Sequence, residues 1–139
     1  MREIHEILIH CTATPEGRDV HVADIDQWHK QRHFTPYGGT YCGYHYVVCL
    51  DGSIERGKPL EAMGQHCMGH NLHSVGICYV GGLDAGMKPK DTRTKAQKES
   101  LRQLVEQLRA RFPQATVHGH REFAAKACPC FDAAREYGL

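Results

Sequence analysis

The sequence has no long apolar run. Its first residues, MREIHEILIHC, carry charge throughout, and nowhere does the chain approach the roughly 20 apolar residues that a membrane span needs. The start also offers no apolar segment of signal-peptide length. Membrane insertion is therefore excluded, and synthesis in the cytoplasm without an export signal is expected. An excess of charge is missing too, since 17 Lys and Arg stand against 16 Asp and Glu. That balance leaves no electrostatic footprint of the kind that binds nucleic acid by releasing counterions, so a small or neutral polymeric partner is favoured. No internal repeat, low-complexity tract or linker divides the 139 residues. With 41% hydrophobic residues, a chain of this length can bury one core, and residues 1–139 read as one domain.

Cysteine and histidine are plentiful, at 7 and 11 residues. An odd cysteine count without a signal peptide argues against a secreted disulfide scaffold and for reduced thiols or a metal. Where these residues fall along the chain matters more than their number.

The segment from Ile4 to Cys11 runs apolar through Ile7, Leu8 and Ile9 and then stops at His10, Cys11 and Thr12, the pattern of a buried strand ending at a polar site. Val22, Ile25, Trp28 and His29 recur at helical spacing and predict a helix over about 22–32, with Trp28 as its anchor. Gly, Tyr, Thr and Pro fill 34–43 as a loop, a strand follows over 44–50, and Asp51-Gly52 turns it into a hairpin with 53–56. Residues 58–73 hold no period and read as an ordered loop before a strand over 75–80. Thr94 and Gln97 form a capping box ahead of Leu101, Leu104, Val105, Leu108 and Phe112, a helix that runs to Pro113. A short strand over 115–117 leads into His118, Gly119 and His120, and a turn with a short helix ends the chain. Strands and helices mix without a regular βαβ rhythm, which predicts an α/β (α+β) fold with a central mixed β-sheet flanked by α-helices.

Three donors stand at or just beyond strand ends: His10, His120 and, eight residues further on, Cys128. Imidazole and thiolate are preferred zinc ligands, and three protein ligands with an open fourth position is the arrangement of a catalytic zinc site. The long separation and the absence of a compact motif such as HExxH leave a hydrogen-bonded histidine as the alternative reading of either His.

Four strings in order, HCTAT (10–14), GYHYVV (43–48), HNLHSVGICYVGG (70–82) and GHREFAAKACPCFD (119–132), resemble the type 2 N-acetylmuramoyl-L-alanine amidases. The likeness is to the phage lysozymes of amidase type, with the animal peptidoglycan recognition proteins more distant, and it runs from the first strand to about Tyr137. The resemblance implies a zinc-dependent hydrolase that cuts peptidoglycan between the lactyl group of muramic acid and the first alanine of the stem peptide. It puts His10, His120 and Cys128 at the family's zinc-ligand positions and Tyr44 and Lys126 at its catalytic ones. Zinc would acidify a water and polarise the amide carbonyl; Lys126 would place a cation near the developing oxyanion, and Tyr44 would donate a hydrogen bond as a neutral phenol. A phage or prophage lysin that reaches the wall after release through a membrane hole is the expected setting, with cytoplasmic recycling as the alternative.

Several features depart from the family pattern. Some branches carry a glutamate on the strand VGICYVGG, where this chain has Cys78 and no acid, so the general base is left open. His66 resembles a cleft histidine that touches substrate, with loop packing as the alternative. Asn71 and Ser74 read as residues that order the loop, and His118 shares the strand face of His120 as an alternative ligand. Pro129 stiffens the chain between Cys128 and Cys130 and favours presenting one thiol; the resemblance selects Cys128, two residues after the catalytic lysine. The loop between Trp28 and Tyr44 is longer than in the small phage lysozymes and is expected to reshape one cleft wall. Some phage relatives also bind their RNA polymerase through residues ahead of the first strand; this chain begins almost at that strand, so RNA polymerase binding is not carried over. Two other functions compete: a non-catalytic peptidoglycan-binding module of the same fold, and a purely structural zinc completed by Cys11 or Cys130.

Overall fold

The computed structural model describes residues 1–138. Its centre is a five-stranded sheet built from β1 (Glu6–Cys11), β3 (Tyr46–Val48), β4 (Ile54–Arg56), β5 (Ser74–Tyr79) and β7 (Thr116–Gly119) in the order β4-β3-β5-β1-β7. Neighbours among β3, β5, β1 and β7 are parallel, and only the edge strand β4 is antiparallel, across the hairpin turned by Asp51-Gly52. Gly52 has φ 86°, a conformation that favours glycine. Two short strands not anticipated from the sequence, β2 (Thr14–Pro15) and β6 (Gly82–Leu83), pair parallel just beyond the ends of β1 and β5. They are two residues each, too short for a periodic signal.

Strands buried on both faces read as continuous apolar runs, and β1 and β5 do so because each face has its own cover. Ile7, Ile9, Val75, Ile77 and Tyr79 point to one side, where they pack with Leu101, Leu104, Val105 and Leu108 of α2 (Lys95–Arg111). Leu8, His10, Ser74, Gly76 and Cys78 alternate to the other side, covered by the loop 58–73 and by α1 (Val22–Gln31). The capping box forms at α2: Thr94 Oγ1 accepts from Gln97 N at 3.0 Å, and Thr94 N donates to Gln97 Oε1 at 2.9 Å. Gln97 is fully buried and its Nε2 donates to Val48 O and Val80 O, so the start of the helix is docked on the ends of β3 and β5.

Two sequence expectations are corrected here. The strand expected over 44–50 is only Tyr46–Val48, because Tyr44 and His45 turn their backbone bonds to Lys58, Gly57 and Gly76. The buried residues of α1 are Ile25 and His29, at i and i+4, and not Trp28; Trp28 sits at the edge of that stripe, with the Arg18 guanidinium over its ring at 5.6 Å. The short final helix, α3 (Ala133–Tyr137), is fastened by the buried Arg93, which pairs with Glu136 and Asp91 and lies over the Phe131 ring at 3.4 Å.

Candidate active site

His10 stands near the end of β1 on the face away from α2. It is 1% exposed, and burial, then the neighbouring His66, His120 and Lys126, holds its pKa well below the usual histidine range. A ring kept neutral retains the lone pair that ligation needs. His120 opens the single 3-10 turn (His120–Glu122) that follows β7 on the other side of β1, and its ring centroid lies 4.5 Å from that of His10. Cys128 reaches the same point from the segment before α3. Its Sγ accepts a hydrogen bond from Cys11 N at 3.1 Å, which fixes the sulfur beside the end of β1.

One nitrogen of His10, one of His120 and the Cys128 sulfur lie within 4.8 Å of one another. Two imidazoles and a thiolate match the donor set of a three-ligand zinc site in chemistry and spacing. His118 and Cys130 are not part of it. The His118 ring is turned to Thr116 Oγ1 at 2.7 Å and Glu122 at 2.9 Å. Cys130, with φ 70°, directs its sulfur to Gly82 O at 3.3 Å.

His66 stands behind this cluster. Its Nδ1 is 2.8 Å from His10 Nε2, and its Nε2 is 3.2 Å from Ser74 Oγ. A neutral imidazole has one N–H and one lone pair; a His10 that donates through Nε2 keeps Nδ1 free for an ion, with His66 fixing its tautomer. The place for this ring is made by Gly76, where an added Cβ would stand 2.7 Å from the His66 ring. Asn71 Oδ1 accepts from both His66 N and Cys67 N at 2.9 Å and shapes the loop that carries the ring.

The cluster opens into a cleft of about 560 Å³ whose wall includes His29, Arg32, Phe34, Tyr44, His66 and Lys126. Tyr44 lies 5.1 Å from His10, ring to ring, and burial raises its pKa well above the normal value, so it stays a neutral donor. Lys126 is exposed and lines the same cleft. Arg32 and Phe34 come from the long loop after α1 and stack at 4.9 Å, so this loop does form part of one wall.

Residues 1–131 match the N-acetylmuramoyl-L-alanine amidase family. The chain belongs to that family. It is 40% identical over 134 residues to an endolysin of Klebsiella phage KP32, covering 96% of this chain and 85% of that one. It is 41% identical over 129 residues to an endolysin of Escherichia phage T7, covering 93% and 82%. Among solved structures, the amidase LysC of Clostridium intestinale superposes with a TM-score of 0.78 at 27% identity, covering 97% of this chain and 82% of that one.

Sequence reasoning missed two histidines of this amidase. His29 was read only as part of a helical stripe, yet it accepts from Gly43 N through Nδ1 at 2.8 Å and packs against Tyr44. His45 is buried beneath the loop 58–73; its Nδ1 accepts from Gly76 N at 3.0 Å and its Nε2 lies 2.8 Å from Ala62 O. Their signal was the lack of any surface reason for polar residues beside apolar ones, which does not say what they touch.

Proposed function

We propose that this amidase, acting as one catalytic domain over residues 1–139, hydrolyses the amide bond between the muramic acid lactyl group and L-alanine in bacterial peptidoglycan. The observation that carries this reading is the convergence of His10, His120 and Cys128 beside an open cleft that His120 lines. These residues would hold Zn²⁺, which supplies Lewis acidity towards the amide carbonyl and lowers the pKa of a water towards 7. The remaining chemistry belongs to the protein's own side chains. Lys126 offers a cation at the lip where negative charge develops on the scissile oxygen, and Tyr44 offers a phenolic O–H from the partly dry wall. His66 holds His10 in one tautomer and borders the cleft where substrate enters.

The setting that fits is a phage or prophage endolysin, made in the cytoplasm and acting on the wall after release; no helix among the described residues is long and apolar enough to cross a membrane. Against a non-catalytic binding module stands the co-occurrence of the thiolate donor, Tyr44 and Lys126 around one cleft. The test is metal content together with release of stem peptide from purified muropeptide. About one zinc at the cleft and activity lost on chelation are expected for a three-ligand catalytic site, and Cys128→Ser should lose both while Cys130→Ser keeps both within a few-fold. Full activity in protein shown to be metal-free would overturn the reading.

A further inference from the structure

Away from the cleft, a second set of unlike donors converges where α1 begins. His21 is the residue before the helix, Cys49 follows β3 and Glu55 lies on β4. His21 Nδ1 is 2.8 Å from Glu55 Oε2 and 3.8 Å from Cys49 Sγ, and the three donor atoms lie within 4.8 Å of one another. We propose that His21, Cys49 and Glu55 form a second metal site, taking one divalent transition-metal ion of zinc's class and tying the start of α1 to the β3–β4 hairpin.

Donor geometry and orientation support the site independently of the catalytic reading. With metal–nitrogen and metal–oxygen distances of about 2.0–2.1 Å and metal–sulfur of about 2.3 Å, a tetrahedral ion separates its N and S ligands by roughly 3.6 Å and its N and O ligands by roughly 3.4 Å. The observed 3.8 Å and 2.8 Å bracket those spacings, so small side-chain adjustments admit an ion. Each donor is also held from behind. Asp19 Oδ2 sits 3.0 Å from His21 Nε2 and would keep a proton on Nε2 once an ion replaced the one that Nδ1 shares with Glu55, the carboxylate–histidine–metal relationship. Glu55 Oε1 accepts from Val22 N at 2.8 Å, leaving Oε2 for the ion. Cys49 is buried with its sulfur aimed at the ring.

An ion pair that merely caps α1 would account for Asp19, His21 and Glu55 and would need no thiol. The sulfur beside the ring is what turns this cap into a donor set. An ion here displaces a proton from between His21 and Glu55 and the proton of the Cys49 thiol, which burial pushes up to about 11, so both protons pass to solvent and the site binds more weakly than the cleft cluster. Because the three donors come from separate segments that only the folded chain brings together, an ion bound there should stabilise the fold by mass action.

The experiment is a Co²⁺ titration of the metal-free full chain, read by cobalt–thiolate absorption and by thermal unfolding, in a non-chelating reductant. Wild type should take up about two equivalents, Cys49→Ser about one with amidase activity within about twofold, and Cys128→Ser about one without activity. Filling the His21 site should raise the unfolding temperature, through the second equivalent in wild type and the single equivalent in Cys128→Ser, whereas Cys49→Ser should show no increment beyond that of its one cleft equivalent. Glu55→Gln, which keeps an acceptor for Val22 N–H, should reproduce the Cys49→Ser stoichiometry and guards against a packing defect at Cys49. Equal uptake by wild type, Cys49→Ser and Glu55→Gln would overturn the second site. Activity retained in Cys128→Ser would instead sink the catalytic assignment, and the count at His21 would still be readable.

Discussion

The two faces of the central sheet are made by the same strands and do opposite work. Towards α2, β1 and β5 present Ile7, Ile9, Val75, Ile77 and Tyr79, and the partners are leucines and a valine. Towards the cleft the same strands present His10, Ser74, Gly76 and Cys78, met by His45, His66 and Tyr44. The first face gains from area removed from water, which is non-directional. The second depends on hydrogen bonds with particular partners, and each buried ring there must be satisfied or it costs free energy. One face makes the fold and the other makes the reaction, and substitutions should separate them.

The largest expected effect is on the cleft side. Loss of one donor to a developing oxyanion typically costs about 2.7–4 kcal/mol, roughly a hundredfold to a thousandfold in rate. Lys126→Ala and Tyr44→Phe should each lower turnover on muropeptide by that order while zinc stays bound, because neither is among the metal donors. Turnover near wild type with zinc retained would return that residue to a structural role. On the other face, Leu101→Ala removes a fully buried side chain and should cost about 2–5 kcal/mol of unfolding free energy. At temperatures where this variant is folded, its turnover should match wild type, measured by urea unfolding and muropeptide release on one preparation. A large loss of turnover in fully folded Leu101→Ala would break the separation of the faces.

The sequence made the α2 face easy to read for the same reason that makes it tolerant. Leu101, Leu104, Val105 and Leu108 keep a helical period, the Thr94–Gln97 box marks the start, and the outcome follows from area alone. The cleft face carries no period. His10, His120 and Cys128 could be picked out because they stand at or beyond strand ends and because the four strings resemble a family. Nothing local showed that His66 would hold His10, since that contact joins residues 56 positions apart and depends on a glycine at 76. The helical spacing picks out the inward stripe of α1 but not which member is buried deepest, and Trp28, the expected anchor, is only partly buried against the cluster around Ile25. Ile25 and His29 face inward, and His29 can do so because Gly43 N–H satisfies its ring.

A smaller effect sharpens the role of His66. Partners that orient a metal ligand typically alter metal affinity or activity by about 10–100-fold when removed. His66→Ala should weaken zinc binding by that order, with reduced turnover partly restored by added zinc. His66→Gln, which can still offer a hydrogen bond towards His10, should recover part of the affinity. A residue that only touched substrate would raise KM and leave zinc affinity unchanged, so the metal titration distinguishes the two roles.

The smallest effect near neutrality concerns pH and again divides the faces. His29 and His45 have pKa values lowered to about 4, first by burial, with nearby cations adding to it; in the unfolded chain each returns to about 6.5. Above about pH 6.5 both rings are neutral whether the chain is folded or not, so they contribute no slope. Between about 6.5 and 4 the unfolded chain binds protons that the folded chain refuses, and stability must fall as pH falls. Below about 4 both states are protonated and the contribution levels off. His10 and His66, also shifted down by burial, act in the same direction, whereas among the described residues no buried histidine lies on the α2 face. The partly exposed His21, raised to about 9 by Glu55 and then Asp19, has the opposite sign above about 6.5, so urea midpoints of metal-free protein should rise slightly as pH falls from 8 to about 7 and then decline towards pH 5. His45→Asn, whose side-chain oxygen can still accept from Gly76 N–H, should be less stable at pH 7 but show a shallower decline. Leu101→Ala should lower the whole curve without changing its slope. An identical decline in wild type and His45→Asn would remove His45 from the account, and a wild-type curve flat to pH 5 would mean that these rings accept protons in the folded state after all.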